Sequence, residues 1–337
     1  NLHYSDDETD YPLLFQLWRP AKLDLIEQGL EAANIRLRES KFGLKESDPK
    51  KWRQYLMGVW SRHQEKPGVA ALYQSKLLIG RLLLQQWYEE HPEPKRPVTI
   101  DSWYTQPAFC RFLDKDLQVP YVGTLSIDNE LTLQSGRQRL DTFAVQLKQE
   151  HLTSVEAGGP PLFKKVTIRY KGEKESYYAY CRTHRVHNFG RQRLVISYSQ
   201  PDLSGSPRFF NSNRLMWQAA GILRIRRHRW PVEVYHEEGK DEGLDQYQVR
   251  DFQAISRHIA LVAVTYSLLR AVPHDTVLLH KLQRELKQDL EGSAAFWRRT
   301  AQAQSLWNLA GIISVGLIQG HSLSEIMAPF LTAVCYR

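Results

Sequence analysis

The chain has 337 residues, 42% of them hydrophobic, a formal net charge of +8 and a mean hydropathy of −0.48. These values suit one large folded domain or a core with a sizeable insertion, and no apolar run approaches the roughly 18 residues that a membrane helix requires. Cys110, Cys181 and Cys335 are too few and too scattered for a secreted disulfide scaffold, and the opening Asn-Leu-His-Tyr lacks the charged and apolar regions of a signal peptide, so a cytoplasmic protein with reduced thiols and no membrane association is expected.

The charge is regional. Residues 161–230 hold 15 Lys and Arg against three acids, a balance of +12, which leaves −4 for the remainder. A solvated surface and a polyanion-binding face both account for such an excess.

In chain order, the acidic turn at residues 5–10 leads into an apolar run at 11–18 that reads as a strand entered from a hairpin. A polar, charged stretch at 39–51 follows. Leu72, Leu77, Gly80, Leu84 and Trp87 then mark a long amphipathic helix over residues 69–90, ended by Pro92, Pro94 and Pro97. Val98-Thr-Ile100 is a short strand running into Asp101, residues around Phe109 and Phe112 are helical, and residues 121–125 form a buried strand. Strand, helix and strand in that order point to an α/β core.

Between residues 129 and 213 the pattern turns to alternation, with Val166, Ile168 and Tyr170, then Tyr178 and Tyr180, then Leu194, Ile196 and Tyr198. This block reads as a β-rich insertion, because helical periodicity resumes at Arg214, with Ser212 or Asn213 as candidate cap. Three segments are therefore expected: 1–128, first part of the core; 129–213, the insertion; 214–337, a helical completion with a helical tail. In the last segment Phe252, Ile255, Ile259, Val262, Tyr266 and Leu269 step along one helix face.

Pro231 suits the first turn of a helix, on which Glu233, His236, Glu237 and Lys240 share a face. If the helix runs back through Trp230, Arg226 and Arg229 join that stripe. A solvated charged stripe and a carboxylate ringed by cations are both open readings. Asp101 likewise reads as a helix cap or as a carboxylate projected beyond the end of a strand.

Arg229-Trp-Pro-Val-Glu233, Lys240 and the following Gly243-Leu-Asp-Gln-Tyr-Gln248 resemble the C-terminal signature of bacterial insertion-sequence transposases. In that family tyrosine, arginine, glutamate and lysine are separated by two, three and six residues. Arg229, Glu233 and Lys240 match, while Arg226 stands where tyrosine is usual. Asp101, in Val98-Thr-Ile-Asp-Ser-Trp-Tyr104, matches the family's second aspartate, and the β-rich block sits where the family carries its insertion.

The resemblance implies an RNase H-like mixed sheet flanked by helices, with Asp101 and Glu233 as catalytic, metal-binding carboxylates and Arg226, Arg229 and Lys240 as DNA contacts. It further implies Mg²⁺, with Mn²⁺ as an alternative, two-metal phosphoryl transfer at transposon ends, double-stranded DNA as partner, and a homodimer in the DNA complex. The family's first aspartate has no matching motif. Asp6 and Asp7 fall in the predicted hairpin turn, and the expectation is that the first strand lies upstream of this N-terminus. A non-catalytic DNA-binding remnant and another RNase H-like nuclease are the alternatives.

Arg169, Lys171, Arg182, Arg185, Arg191 and Arg193 alternate with Tyr170, Tyr177, Tyr178, Tyr180 and Phe189, which suits either a nucleic-acid groove with stacking platforms or a half-buried sheet. Trp103 is open between core and function. Cys181, His184 and His187 lack a second ligand pair, so zinc is not expected. There is no phosphate-binding Gly-rich loop and no nucleophile elbow.

Overall fold

A computed structural model describes residues 1–241, 244–245, 251–271 and 322; the expected helical tail lies outside them, apart from Ser322. They form two compact units, one of residues 1–8 and 12–232, the other of residues 9–11 and those from 233 onward. The first is mixed α/β, built on an eight-stranded mixed sheet flanked by helices. Among the described residues no helix is long and apolar enough to cross a membrane.

The chain opens with the expected hairpin, β1 (Leu2–Ser5) and β2 (Asp10–Leu14). A helical module that the sequence reading did not anticipate follows: α1 (Leu23–Ala32), α2 (Leu44–Ser47), α3 (Pro49–Arg62) and α4 (Pro67–Ala70). Asp48 caps α3 through the Lys51 N–H, and Pro49 occupies its first turn. Ile26 and Leu30 of α1 meet Trp52, Leu56, Val59 and Trp60 of α3 in a separate core, and the Trp60 indole donates to the Val69 carbonyl at 2.9 Å. The polar stretch at 39–51 thus contains a 3₁₀ turn, α2 and the start of α3. The helix expected at 69–90 is broken into α4 and α5 (Lys76–Glu90), because the Ser75 side chain caps a new helix at the Leu78 N–H.

The sheet begins at β3 (Val98–Ile100), which pairs in parallel with β4 (Tyr121–Leu125). Between them lies α6 (Pro107–Arg111), continued by a π-type turn at Phe112–Asp116. Then come β5 (Glu130–Leu133), β6 (Gly136–Arg139), α7 (Leu140–Glu156), β7 (Lys164–Tyr170), β8 (Glu173–Val186), β9 (Gly190–Tyr198) and β10 (Arg208–Ser212). The strand order is β3-β4-β10-β9-β8-β5-β6, with β7 on β8. Since β10 pairs with both β4 and β9, the β-rich block extends the same sheet that carries β3 and β4. The 17-residue α7 inside it was not expected, although Leu140, Phe143, Ala144 and Leu147 are buried at helical spacing.

Alternation on the strands feeds two faces. Leu194, Ile196, Tyr180 and Phe209 pack under α7, while Val122, Val195 and Phe210 pack under Ala219, Ile222 and Leu223 of α8 (Ala219–Arg227). Side chains of α5 and α6 cover Ile100 and Tyr121. Asn213 does not cap α8, which starts after Gln218. Instead its side chain accepts from the Tyr121 N–H and donates to the Val119 carbonyl and Asp114, fastening the start of β4.

The second unit contains α9 (Pro231–Asp241, its first two residues counted with the first unit) and α10 (Phe252–Ala271). Asp251 caps α10 at the Ala254 N–H. Tyr235 and Tyr266 meet edge to face at 5.0 Å, and the Tyr266 hydroxyl donates to buried Asp10 at 2.8 Å. Val262 and Tyr266 of the predicted face are buried; the side chain of Leu269 lies outside the described residues.

Gly123 marks the tightest approach in the sheet. An added Cβ would stand 2.5 Å from Asn211 Oδ1 and 2.8 Å from Thr105 Cγ2. Gly123→Ala is therefore expected to destabilise the protein by about 1–3 kcal/mol through overpacking. A urea midpoint equal to or above wild type would show that this contact yields freely.

Candidate functional site

Asp101 follows β3 directly. Its Oδ1 accepts the Tyr104 N–H at 2.9 Å, and its carbonyl accepts the Thr105 N–H at 3.0 Å and the Thr105 hydroxyl at 2.5 Å. The capping geometry is thus realised. It leaves Oδ2 without a hydrogen bond from the described residues, so one hard carboxylate oxygen remains available at the end of a parallel strand. Thr105 is pressed towards Gly123 and Asn211, which were not singled out from sequence. Asn211 is wholly buried; its amide donates to Gln192 at 3.2 Å, and Gln192 also accepts from the Tyr121 hydroxyl at 2.8 Å.

Arg226 reaches the same end of the sheet. In the parallel register Ile100 lies opposite Gly123, so the residues that follow, Asp101 and Thr124, stand at one level. The Arg226 Nε donates to Thr124 Oγ1 at 3.0 Å, and its guanidinium lies 5.6 Å from the Phe210 ring. Helix α8 is held in place for this by two further arginines. Arg227 forms a two-pronged ion pair with Glu175 of β8 at 2.8–3.0 Å, and Arg224 binds Asp7. Asp7 also faces His228, whose other ring nitrogen meets Ser5. Asp6 accepts from Tyr4 and from the Glu8 N–H, so both aspartates of the adjacent pair have structural partners.

Arg226, Arg229 and Glu233 do not share one continuous helix. α8 ends at Arg227, residues 228–230 are turn, and α9 starts at Pro231. Proline lacks the N–H needed to continue a helix and disfavours helical geometry in the residue before it. Arg226, Arg229 and Asp101 belong to the first unit, and Glu233 and Lys240 to the second, both on α9. Arg229 and Glu233 are half-buried, whereas Lys240 is exposed.

On β8 and β9, Arg185 stands opposite Arg191 and Thr183 opposite Arg193. Like charges directly opposite destabilise a sheet, and neither Arg185 nor Arg191 has an acidic partner among the described residues. Arg193 donates to the Trp217 carbonyl at 2.9 Å. The interleaved aromatics are core components: Tyr170 and Tyr180 are buried, Tyr177 and Tyr178 pack on opposite faces, and Phe189 packs against the core as well. Trp103 is the opposite case, at 50% exposure.

Cys181 and His184 are three residues apart on one strand and so face opposite ways. Cys181 lies 3.9 Å from the Trp217 carbonyl and His184 bonds Tyr180. Burial raises both the Cys181 thiol and that of Cys110, the latter to about 12, which keeps them protonated. Among the described residues no three His, Cys, Asp or Glu side chains converge to hold a metal.

No protein-family model matches the chain, and no curated protein is significantly similar to it.

The Arg227 guanidinium holds the Glu175 carboxyl below its ordinary value near 4.5. A depressed carboxylate contributes stability above its unfolded pKa and loses it as the pH falls through the folded value. Wild type should therefore exceed Glu175→Gln in urea midpoint at pH 7, with the gap closing below about pH 4. An equal gap at pH 7 and pH 3 would show that the anion contributes nothing.

Proposed function

We propose that the chain is the catalytic core of a DNA transposase with an RNase H-like sheet, acting on double-stranded DNA at transposon ends. The observation that carries this reading is Asp101 at the carboxyl end of parallel strand β3, level with Thr124 and its bound Arg226. Open parallel α/β arrangements place ligands at that end of their strands. The spacing of Arg229, Glu233 and Lys240 adds the signature. Arg185 and Arg191, opposite one another and without an acidic partner among the described residues, add a surface where phosphates would relieve like-charge repulsion.

The donor set fits Mg²⁺ in kind, since Asp101 and Glu233 supply hard carboxylate oxygens. Held by carboxylates of this kind, the ion would supply Lewis-acid activation for phosphoryl transfer. The chain's own groups have separate tasks. The capped turn fixes the Asp101 backbone, so its Oδ2 is presented without reorganisation. Arg226 and Arg229 would meet phosphates as planar forks and Lys240 as a point charge. A homodimer on the DNA is part of the proposal.

The second reading, a DNA-binding protein without catalysis, draws on the Tyr104 N–H already occupying Asp101 Oδ1. Strand cleavage separates the two. In the full-length protein with Mg²⁺ and DNA bearing its element's ends, Asp101→Asn and Glu233→Gln should each reduce cleavage on the order of 10³-fold, about 4 kcal/mol of barrier, with duplex binding retained. Cleavage that survives either substitution excludes the catalytic assignment. Binding without cleavage in wild type selects the second reading.

A further inference from the structure

Trp103 is half-exposed in a chain whose sheet aromatics are mostly buried, and its setting is rigid. It lies in the turn closed by the Asp101 carboxylate on the Tyr104 N–H. Its ring stands edge to face on Tyr104 at 4.9 Å and 76°. Tyr104 in turn packs on Phe109 at 5.7 Å and over Gly80 of α5, where an added Cβ would come within 3.1 Å of the tyrosine ring. Lys76, exposed in the first turn of α5, sets its ammonium 4.6 Å from the Trp18 ring and 5.7 Å from the Trp103 ring. Trp18 is fixed by its indole N–H on the Tyr73 hydroxyl at 3.0 Å. Lys76 has no acidic partner among the described residues.

We propose that Trp103 and Lys76 form a subsite for one unpaired nucleotide of a DNA strand, the base stacking on the open indole and the adjoining phosphate meeting the ammonium. An aromatic face accepts any base, and a neighbouring cation selects a phosphate-bearing ligand over a purely apolar one. The position, two residues from Asp101 in the same turn, assigns the subsite to a strand end frayed beside the carboxylate. The inference rests on the reading of the chain as a DNA-acting protein, but it concerns binding and not cleavage.

The test uses the full chain with two probes of equal length, a blunt duplex and a duplex with a one-nucleotide unpaired end carrying 2-aminopurine. Wild type should bind the frayed probe more tightly and quench its fluorescence. Trp103→Ala should weaken frayed binding by about 5- to 150-fold, the range for loss of one stacked base, and abolish quenching, with blunt binding within about twofold. Trp103→Phe should restore most of the frayed-probe affinity, and Lys76→Ala should weaken frayed binding while leaving quenching at saturation. Equal loss on both probes, or no loss on either, overturns the subsite while leaving DNA binding intact. A wild type that binds neither probe overturns both the subsite and the reading beneath it. Thermal midpoints of the variants equal to wild type exclude misfolding as the cause.

Discussion

Strand β4 must satisfy backbone groups on both edges and bury side chains on both faces, and the arrangement of the candidate site follows from that. Its parallel pairing with β3 sets Asp101 level with Thr124, and its antiparallel pairing with β10 brings Asn211 against Gly123. Four of its five residues, Tyr121, Val122, Gly123 and Leu125, are buried, and only Thr124 keeps a polar side chain partly open. That one opening is where Arg226 docks. A backbone hydrogen-bonded on both sides cannot shift register without moving every side chain to the wrong face, so the polar groups it positions are held as firmly as the core.

The arginine-rich region divides into two populations. Arg193, Arg224 and Arg227 are bound to a carbonyl or to carboxylates and hold α8 and its approaches to the sheet and the hairpin. Arg185 and Arg191, opposite one another, have no such partner among the described residues. Composition counts these groups equally, although the first population stabilises the fold and the second leaves an excess of positive potential at the surface. The regional charge is therefore a smaller functional signal than its size suggests, and a more localised one.

Aromatic residues show a similar division. Alternation with arginines made the tyrosines of β7 and β8 look like stacking platforms, yet alternation is what any strand with one buried face displays. The rings of Tyr177, Tyr178 and Tyr180 complete the two sheet cores, and buried Tyr170 packs against His228 and the Arg227 guanidinium. Trp103 lies in a turn, where no periodicity reports burial, and its exposure became evident only from the packing of Tyr104 on Gly80 and Phe109.

Local patterns in the sequence were enough for β3, β4, the alternating strands β7 to β9, Pro231 at the start of α9 and the buried Val262 and Tyr266 of α10, because each depends on neighbours within a few positions. Helix α7 and the module around Trp52 and Trp60 carried the same kind of signal, Leu140-Phe143-Ala144-Leu147 and Trp52-Leu56-Val59-Trp60, but it was diluted by the many polar residues on their outer faces. The joining of β10 to β4, the hydrogen bond from Arg226 to Thr124 across 102 residues, and the wedge of Asn211 and Thr105 at Gly123 were decided by the tertiary structure alone. Contacts between distant segments depend on how whole faces pack and pair, and no short window of residues encodes that.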